Sequence, residues 1–128
     1  MTKQGKVWGF TQLIHANPVY EFHRIEIMKD AFCSVHSHKH KWNGFFVESG
    51  LLKICVWKDN YHLVDDNSSI CQIDETILNP GDFTSVGPGE FHQFWALEPT
   101  IAYETYWASP LDINDIVRKT VGGKKDNK

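Results

Sequence analysis

The chain is poor in several things that define whole classes of protein. Its three cysteines, Cys33, Cys55 and Cys71, are odd in number and lack C-x-x-C spacing, which argues against a disulfide framework and a zinc ribbon. Reduced thiols in a cytoplasmic protein are the expectation. Nowhere do the ~18 successive apolar residues of a membrane span run together. The opening MTKQGKVWGFTQLIHANP also lacks the continuous apolar stretch of a secretion signal. Positive charge is scarce: 13 Lys and Arg against 16 Asp and Glu leave a net charge of −3 and no basic stripe suited to nucleic acid. There is no internal repeat and no low-complexity tract. At 128 residues and 41% hydrophobic content, one core is expected over residues 1–128, with 1–6 and 122–128 flexible.

What the chain does have is aromatic side chains in short apolar or alternating runs, punctuated by turn formers. That pattern predicts an all-β sandwich or barrel. Strands are expected at 7–14, 20–28, 31–38, 45–49, 51–57, 61–64, 70–73, 76–78, 83–86, 92–96 and 101–107. The breaks at Asn17-Pro18, Lys58-Asp59-Asn60, Asn79-Pro80-Gly81-Asp82 and Gly87-Pro88-Gly89 carry residues that favour turns. One segment, 110–119, reads as a short C-terminal helix: Leu111, Ile113, Ile116 and Val117 make an apolar stripe, with acidic residues early.

The densest chemistry lies in 33–50, CSVHSHKHKWNGFFVESG, where His36, His38 and His40 alternate. Strand residues two apart share a face at roughly 6.5 to 7 Å between Cα atoms, so His36 and His38 can converge on one ion. A second segment, 79–95, adds His92 just after the Gly-Pro-Gly turn. Imidazole is a usual ligand for zinc, iron and nickel, and a divalent metal site at His36, His38 and His92 is the leading reading. His40 shares the parity of the pair, but Lys39 and Lys41 flank it where the chain leaves the strand. Asn43 reads either as a weak ligand or water holder, or as a turn former before Gly44. Lys39 and Lys41 are candidates for holding an anionic substrate. Cys33 has the wrong parity for the site and reads as buried structure. Glu48, Glu90 and Glu104 are possible acid–base groups, with Glu48 facing out; His15, His23 and His62 receive no role.

These two segments resemble the paired motifs of the cupins, G-x5-H-x-H-x3-4-E-x6-G and G-x5-P-x-G-x2-H. His36, His38, Asn43 and Gly50 fall on the first, and Gly81, Gly87, Gly89 and His92 on the second. Asn43 stands where a cupin normally carries its glutamate ligand, and Gly87 where the motif has proline. A narrower resemblance, to the cupin domain of type II mannose-6-phosphate isomerases, runs through Val7 to Phe10, Phe22 to Ile27, Trp42, Gly89-Glu90-x-His92 and Asp115 to Arg118. That family typically has glutamine at the position of His36 and glutamate at that of Asn43.

The resemblance implies a double-stranded β-helix, the cupin jelly-roll barrel, around a divalent ion (Zn, Fe, Mn or Ni), and a homodimer with strand 7–14 as a pairing element. Three functions follow as expectations. One is a metal-dependent isomerase or epimerase acting on a small anionic molecule such as a sugar phosphate. The second is an iron-dependent dioxygenase, because three neutral histidines resemble the shell of cysteine dioxygenases and diketone-cleaving cupins. The third is a small-ligand-binding protein without chemistry. The expected partner in each is a small molecule, not nucleic acid or membrane.

Overall fold

Alternation in sequence becomes alternation in burial. Along Phe91–Ala96, His92, Phe94 and Ala96 are buried, while Phe91, Gln93 and Trp95 stay partly open. The computed structural model describes residues 2–57, 73–108 and 112–125. Nine strands occur among them: β1 (Lys3–Lys6), β2 (Gly9–Asn17), β3 (Tyr20–Ile27), β4 (Trp42–Ser49), β5 (Leu52–Trp57), β6 (Ile73–Leu78), β7 (Phe83–Val86), β8 (Phe91–Ala96) and β9 (Thr100–Trp107). One sheet has the order β1-β2-β3-β9-β4-β7, the other β6-β5-β8, and every pairing is antiparallel.

The two sheets meet over an apolar core. Ile25, Ile27, Phe45, Val47, Val86 and Ala102 come from the larger sheet, and Leu52, Ile54, Leu78, Phe94 and Ala96 from the smaller. This is the all-β sandwich that the alternating runs predict, arranged as the jelly roll that the resemblance implies. Among the described residues no helix is long and apolar enough to cross a membrane.

Several expectations are corrected. The segment expected to fray at 1–6 instead supplies β1, paired in register with β2 from Lys3↔Gln12 to Lys6↔Gly9. Strand 7–14 therefore begins only at Gly9, after a turn at Val7-Trp8. Gly9 makes that turn possible. Its φ is +149°, and a Cβ there would fall 1.9 Å from the Glu26 carbonyl oxygen. β2 also lies between β1 and β3, so both its edges are paired within the chain.

Segment 31–38 is not a regular strand; it touches β8 through isolated bridges at Phe32↔Trp95 and His36↔His92. β4 starts at Trp42 rather than Phe45, which places Asn43 inside a strand. The expected helix at 110–119 is absent over its described part, 112–119. Its stripe finds no surface to cover, with Ile113 85% and Val117 87% exposed, and a helix this short gains little stability without packing. The strands expected at 61–64 and 70–72 lie outside the described residues, and β6 begins at Ile73.

Candidate metal centre

β8 and the irregular 31–38 segment build the centre together. The backbones of His36 and His92 exchange two hydrogen bonds, N–H to O at 3.1 and 2.9 Å, which sets the two residues directly opposite one another. The Gly89 N–H donates to the His38 carbonyl at 2.7 Å, pinning His38 to the turn before β8. Gly89 takes a φ of +82°, which suits glycine in such a turn. The three rings form a triangle, edge-on or tilted to one another, with centroids 4.6 Å (His36–His92), 5.0 Å (His36–His38) and 5.4 Å (His38–His92) apart. One ring nitrogen of each lies within 4.8 Å of the others.

Backbone carbonyls choose the tautomers. His36 Nδ1 lies 2.9 Å from the Ser34 carbonyl, and His92 Nδ1 lies 3.0 Å from the Glu90 carbonyl. A carbonyl can only accept, so each Nδ1 carries the proton and each Nε2 keeps its lone pair. Metal-bound histidines are oriented in this way. His38 Nε2 is buried with no hydrogen-bond partner. His92 Nε2 faces Asn43 Oδ1 at 3.1 Å. With the asparagine in this orientation, two acceptors so close repel unless a proton or a cation lies beside them, and burial disfavours the protonated ring. The donor set therefore fits a divalent ion.

Electrostatics points the same way. Burial, then the neighbouring His36, His92 and Lys41, push the His38 pKa down to about 4. Burial likewise lowers His92, against an opposing hydrogen bond to the Glu90 carbonyl. Both imidazoles are held in the neutral form that binds metal.

Behind the histidines lies a polar relay inside the sandwich. Asn43, fully buried, donates from Nδ2 to Glu104 Oε2 at 3.3 Å and to the Thr105 carbonyl at 3.4 Å. The Tyr106 hydroxyl also bonds Glu104, and its ring meets His38 edge-on at 5.2 Å. Glu104 is 9% exposed. Burial raises its pKa to about 7, against the hydrogen bonds from Tyr106 and Asn43 and the charge of Lys41, which lower it. Burial and the adjoining carboxylate raise Tyr106 as well. A buried carboxyl that titrates near neutrality, hydrogen-bonded to a residue that touches His92, is equipped to move protons.

The structure thus brings His36, His38 and His92 together and sets Asn43 beside them, in a strand rather than a turn. His40 is exposed in a bend, apart from the cluster. Lys39 is exposed too. Lys41 pairs with Glu21 at 3.6 Å and lies over the Tyr106 ring at 4.6 Å, lining a hollow of about 310 Å³ with Val19 and Trp107. The cleft that reaches His36 and Glu104, about 430 Å³, is lined by neither lysine. Cys33 is buried, accepts the Phe94 N–H at 3.2 Å and has a pKa raised by burial to about 12, so it stays a thiol. Glu48 and Glu90 lie outside the relay, bonded to the Tyr103 hydroxyl and the Gly87 N–H. In the sequence Glu104 stands only as one of three possible acids, and no motif there marks Tyr106. Their shared parity on β9 with buried Ala102 was the signal available.

No protein-family model matches the sequence, and no curated protein matches it. Solved structures do. KdgF from Halomonas sp. superposes with a TM-score of 0.68 at 14% identity, covering 86% of this chain and 88% of its own. An RmlC-like cupin from Shewanella frigidimarina gives 0.62 at 19% identity over 84% of both chains. The fold is the cupin fold. Oxalate decarboxylase of Bacillus subtilis, a protein with Mn(II) centres, gives 0.65 at 13% identity over 89% of this chain, which spans 29% of that longer protein. The narrower likeness to mannose-6-phosphate isomerases finds no support among these structures.

Proposed function

We propose that this cupin-fold protein is a metal-dependent enzyme that moves a proton on a small anionic molecule, in the manner of an isomerase or epimerase. The observation that carries the reading is Glu104, a buried carboxyl linked through Asn43 to a cluster of three neutral histidines. His36, His38 and His92 would hold a divalent ion, which when bound polarises a carbonyl or hydroxyl oxygen. With three neutral ligands the ion keeps its full charge, which favours anionic, chelating molecules.

The rest of the work falls to the chain's own groups. As carboxylate, Glu104 accepts the proton from the hydroxyl-bearing carbon next to a carbonyl, leaving an enediolate; as acid, it returns that proton to the former carbonyl carbon as the hydroxyl proton passes to the other oxygen, or to the same carbon in an epimerisation. Tyr106 and Asn43 fix its orientation through their hydrogen bonds. Phe45 and Phe94, edge-on at 6.2 Å, close the floor of the interior to water.

The test begins with elemental analysis of protein purified without added metal. Deuterium uptake from D2O is then followed by NMR under nitrogen, over mannose 6-phosphate, other sugar phosphates and short keto and hydroxy acids. Near-stoichiometric metal with oxygen-independent exchange is expected. Absence of metal, or exchange that survives Glu104→Gln, would sink the proposal. The absence of a carboxylate from the three-histidine cluster favours one second reading, a ferrous dioxygenase. Substrate-dependent oxygen uptake would select it. Ligand-dependent melting without turnover would instead indicate a binding protein.

A further inference from the structure

The cleft at His36 draws one wall from the hairpin of β1 and β2, the segment nearest the start of the chain. Alternation along β1 divides its lysines. Lys3 turns to the outer face, where it pairs with Glu26 at 2.9 Å and lies over the Phe10 ring. Gln4 and Lys6 share the other parity and line the 430 Å³ cleft with Thr11, His23, His36 and Glu104. That volume suits a small molecule. The wall is firmly seated: the Trp8 carbonyl accepts the Met28 N–H at 3.0 Å, and the Trp8 ring meets Phe94 edge-on at 5.1 Å.

Lys6 has no carboxylate within ion-pair distance among the described residues, whereas Lys3, Lys29, Lys41 and Lys53 each have one. Its charge is felt inside, since it contributes to lowering the pKa of His23 behind burial and Lys41. His23 Nδ1 is itself buried without a partner. The carboxyl that shares the cleft, Glu104, is bonded to Asn43 and Tyr106 rather than to Lys6. One unpaired ammonium beside neutral donors matches a single negative charge. A phosphate would crowd two charges onto the one group facing this single ammonium, which costs free energy in a partly closed site, whereas a carboxylate brings one charge to Lys6 and a dicarboxylate carries its second to the far, His36 end of the cleft.

We infer that Lys6 is the anion-binding residue of the cleft and that the ligand is a small carboxylate, its charged end held by Lys6 with Gln4 and Thr11, its other end toward His36 and Glu104. The placement of that other end depends on the metal-centre reading above; the Lys6 contact does not. The experiment is calorimetric titration with succinate at constant ionic strength, on the 128-residue protein both zinc-loaded and stripped by chelator. Loss of one charge-assisted contact in Lys6→Ala should raise Kd about tenfold. Lys6→Arg should restore affinity, and Lys3→Ala should leave it unchanged. Melting temperature should stay at the wild-type value, because an exposed lysine adds little stability.

Equal affinity in wild type and Lys6→Ala, or no succinate binding to wild type, overturns the inference. Inorganic phosphate bound more tightly than succinate, and lost in Lys6→Ala, overturns the choice of carboxylate. A Lys6-dependent difference that persists in His36→Ala/His92→Ala supports the anion site even if the metal reading fails. Metal-loaded, exchange-active protein indifferent to Lys6 leaves that reading standing and rejects this one.

Discussion

The same strands build two opposite ends of one interior. Inward positions run His23, Ile25, Ile27 on β3; Asn43, Phe45, Val47 on β4; and His92, Phe94, Ala96 on β8. β9 runs antiparallel to β3 and β4, and reads Tyr106, Glu104, Ala102 toward the same apolar end. Backbone geometry is alike at both ends; the physics differs. At the apolar end burial itself stabilises, by about 25 cal/mol per Å² of apolar surface. At the polar end burial costs free energy unless each group finds a partner, and it drives ionisable groups toward their neutral forms. His23, His38 and His92 are pushed down and Glu104 and Tyr106 up, in each case with burial as the largest cause. The apolar end supplies stability, and the polar end is left free to take up an ion or a proton.

The sharpest way to break this contrast is to empty the polar end of its ligands. His36→Ala/His92→Ala should lose essentially all bound metal by elemental analysis and still fold cooperatively, since the core residues lie elsewhere. Full metal retention would show that the ion, if any, sits at another place.

Glu104→Gln keeps the shape of the relay and removes its proton acceptor. Exchange of substrate protons with D2O should slow by about 10²- to 10⁴-fold, the range for loss of a general acid–base group. Metal content should not change, which separates the acid–base role from ligation.

At the other end, Ile54→Ala, 1% exposed on β5, should cost about 2–5 kcal/mol in denaturant unfolding while metal content holds. A loss of metal at the same denaturant-free temperature would mean the two ends are coupled more tightly than their chemistry suggests.

A smaller effect tests Glu104 through pH. Its pKa is raised from 4.5 to about 7 on folding, so the native state holds more protons than the unfolded chain across that interval. Its contribution to stability is then fully present below pH 4.5 and falls as pH rises through about 7. Gln mimics the neutral acid, so Glu104→Gln should gain on the wild type between pH 5 and pH 8, about the limits of that window, in urea unfolding of metal-free protein. The comparison cancels the buried histidines, whose lowered pKa values act in the opposite sense. A constant difference across the range would show that Glu104 is ionised throughout.

The smallest change is expected at the surface. Lys39→Ala should shift stability by less than about 0.5 kcal/mol in the same unfolding experiment, and leave succinate affinity unaltered. A tenfold fall in affinity would bring the Lys39 loop back into the site.

Sequence alone determined what depends on local periodicity and spacing. Alternating apolar runs fixed an all-β sandwich, because a strand sends successive side chains to opposite faces whatever it packs against. The pair His36 and His38, and His92 after its Gly-Pro-Gly turn, were visible for the same reason, being short-range patterns. Tertiary structure decided the rest. Asn43 precedes a glycine and has a turn former's local preference, yet it lies buried in β4 because its neighbours β7 and β9 hydrogen-bond that stretch into the sheet. The stripe at 112–119 had helical spacing but no surface to meet. Glu104 became distinct from Glu48 and Glu90 only when the register of β9 against β3 and β4 set it opposite His23 and Phe45. Lys6, in a segment expected to fray as a chain end, reached the cleft because β1 folds back on β2. Pairings between segments tens of residues apart are set by the packing of whole sheets, and no local pattern encodes them.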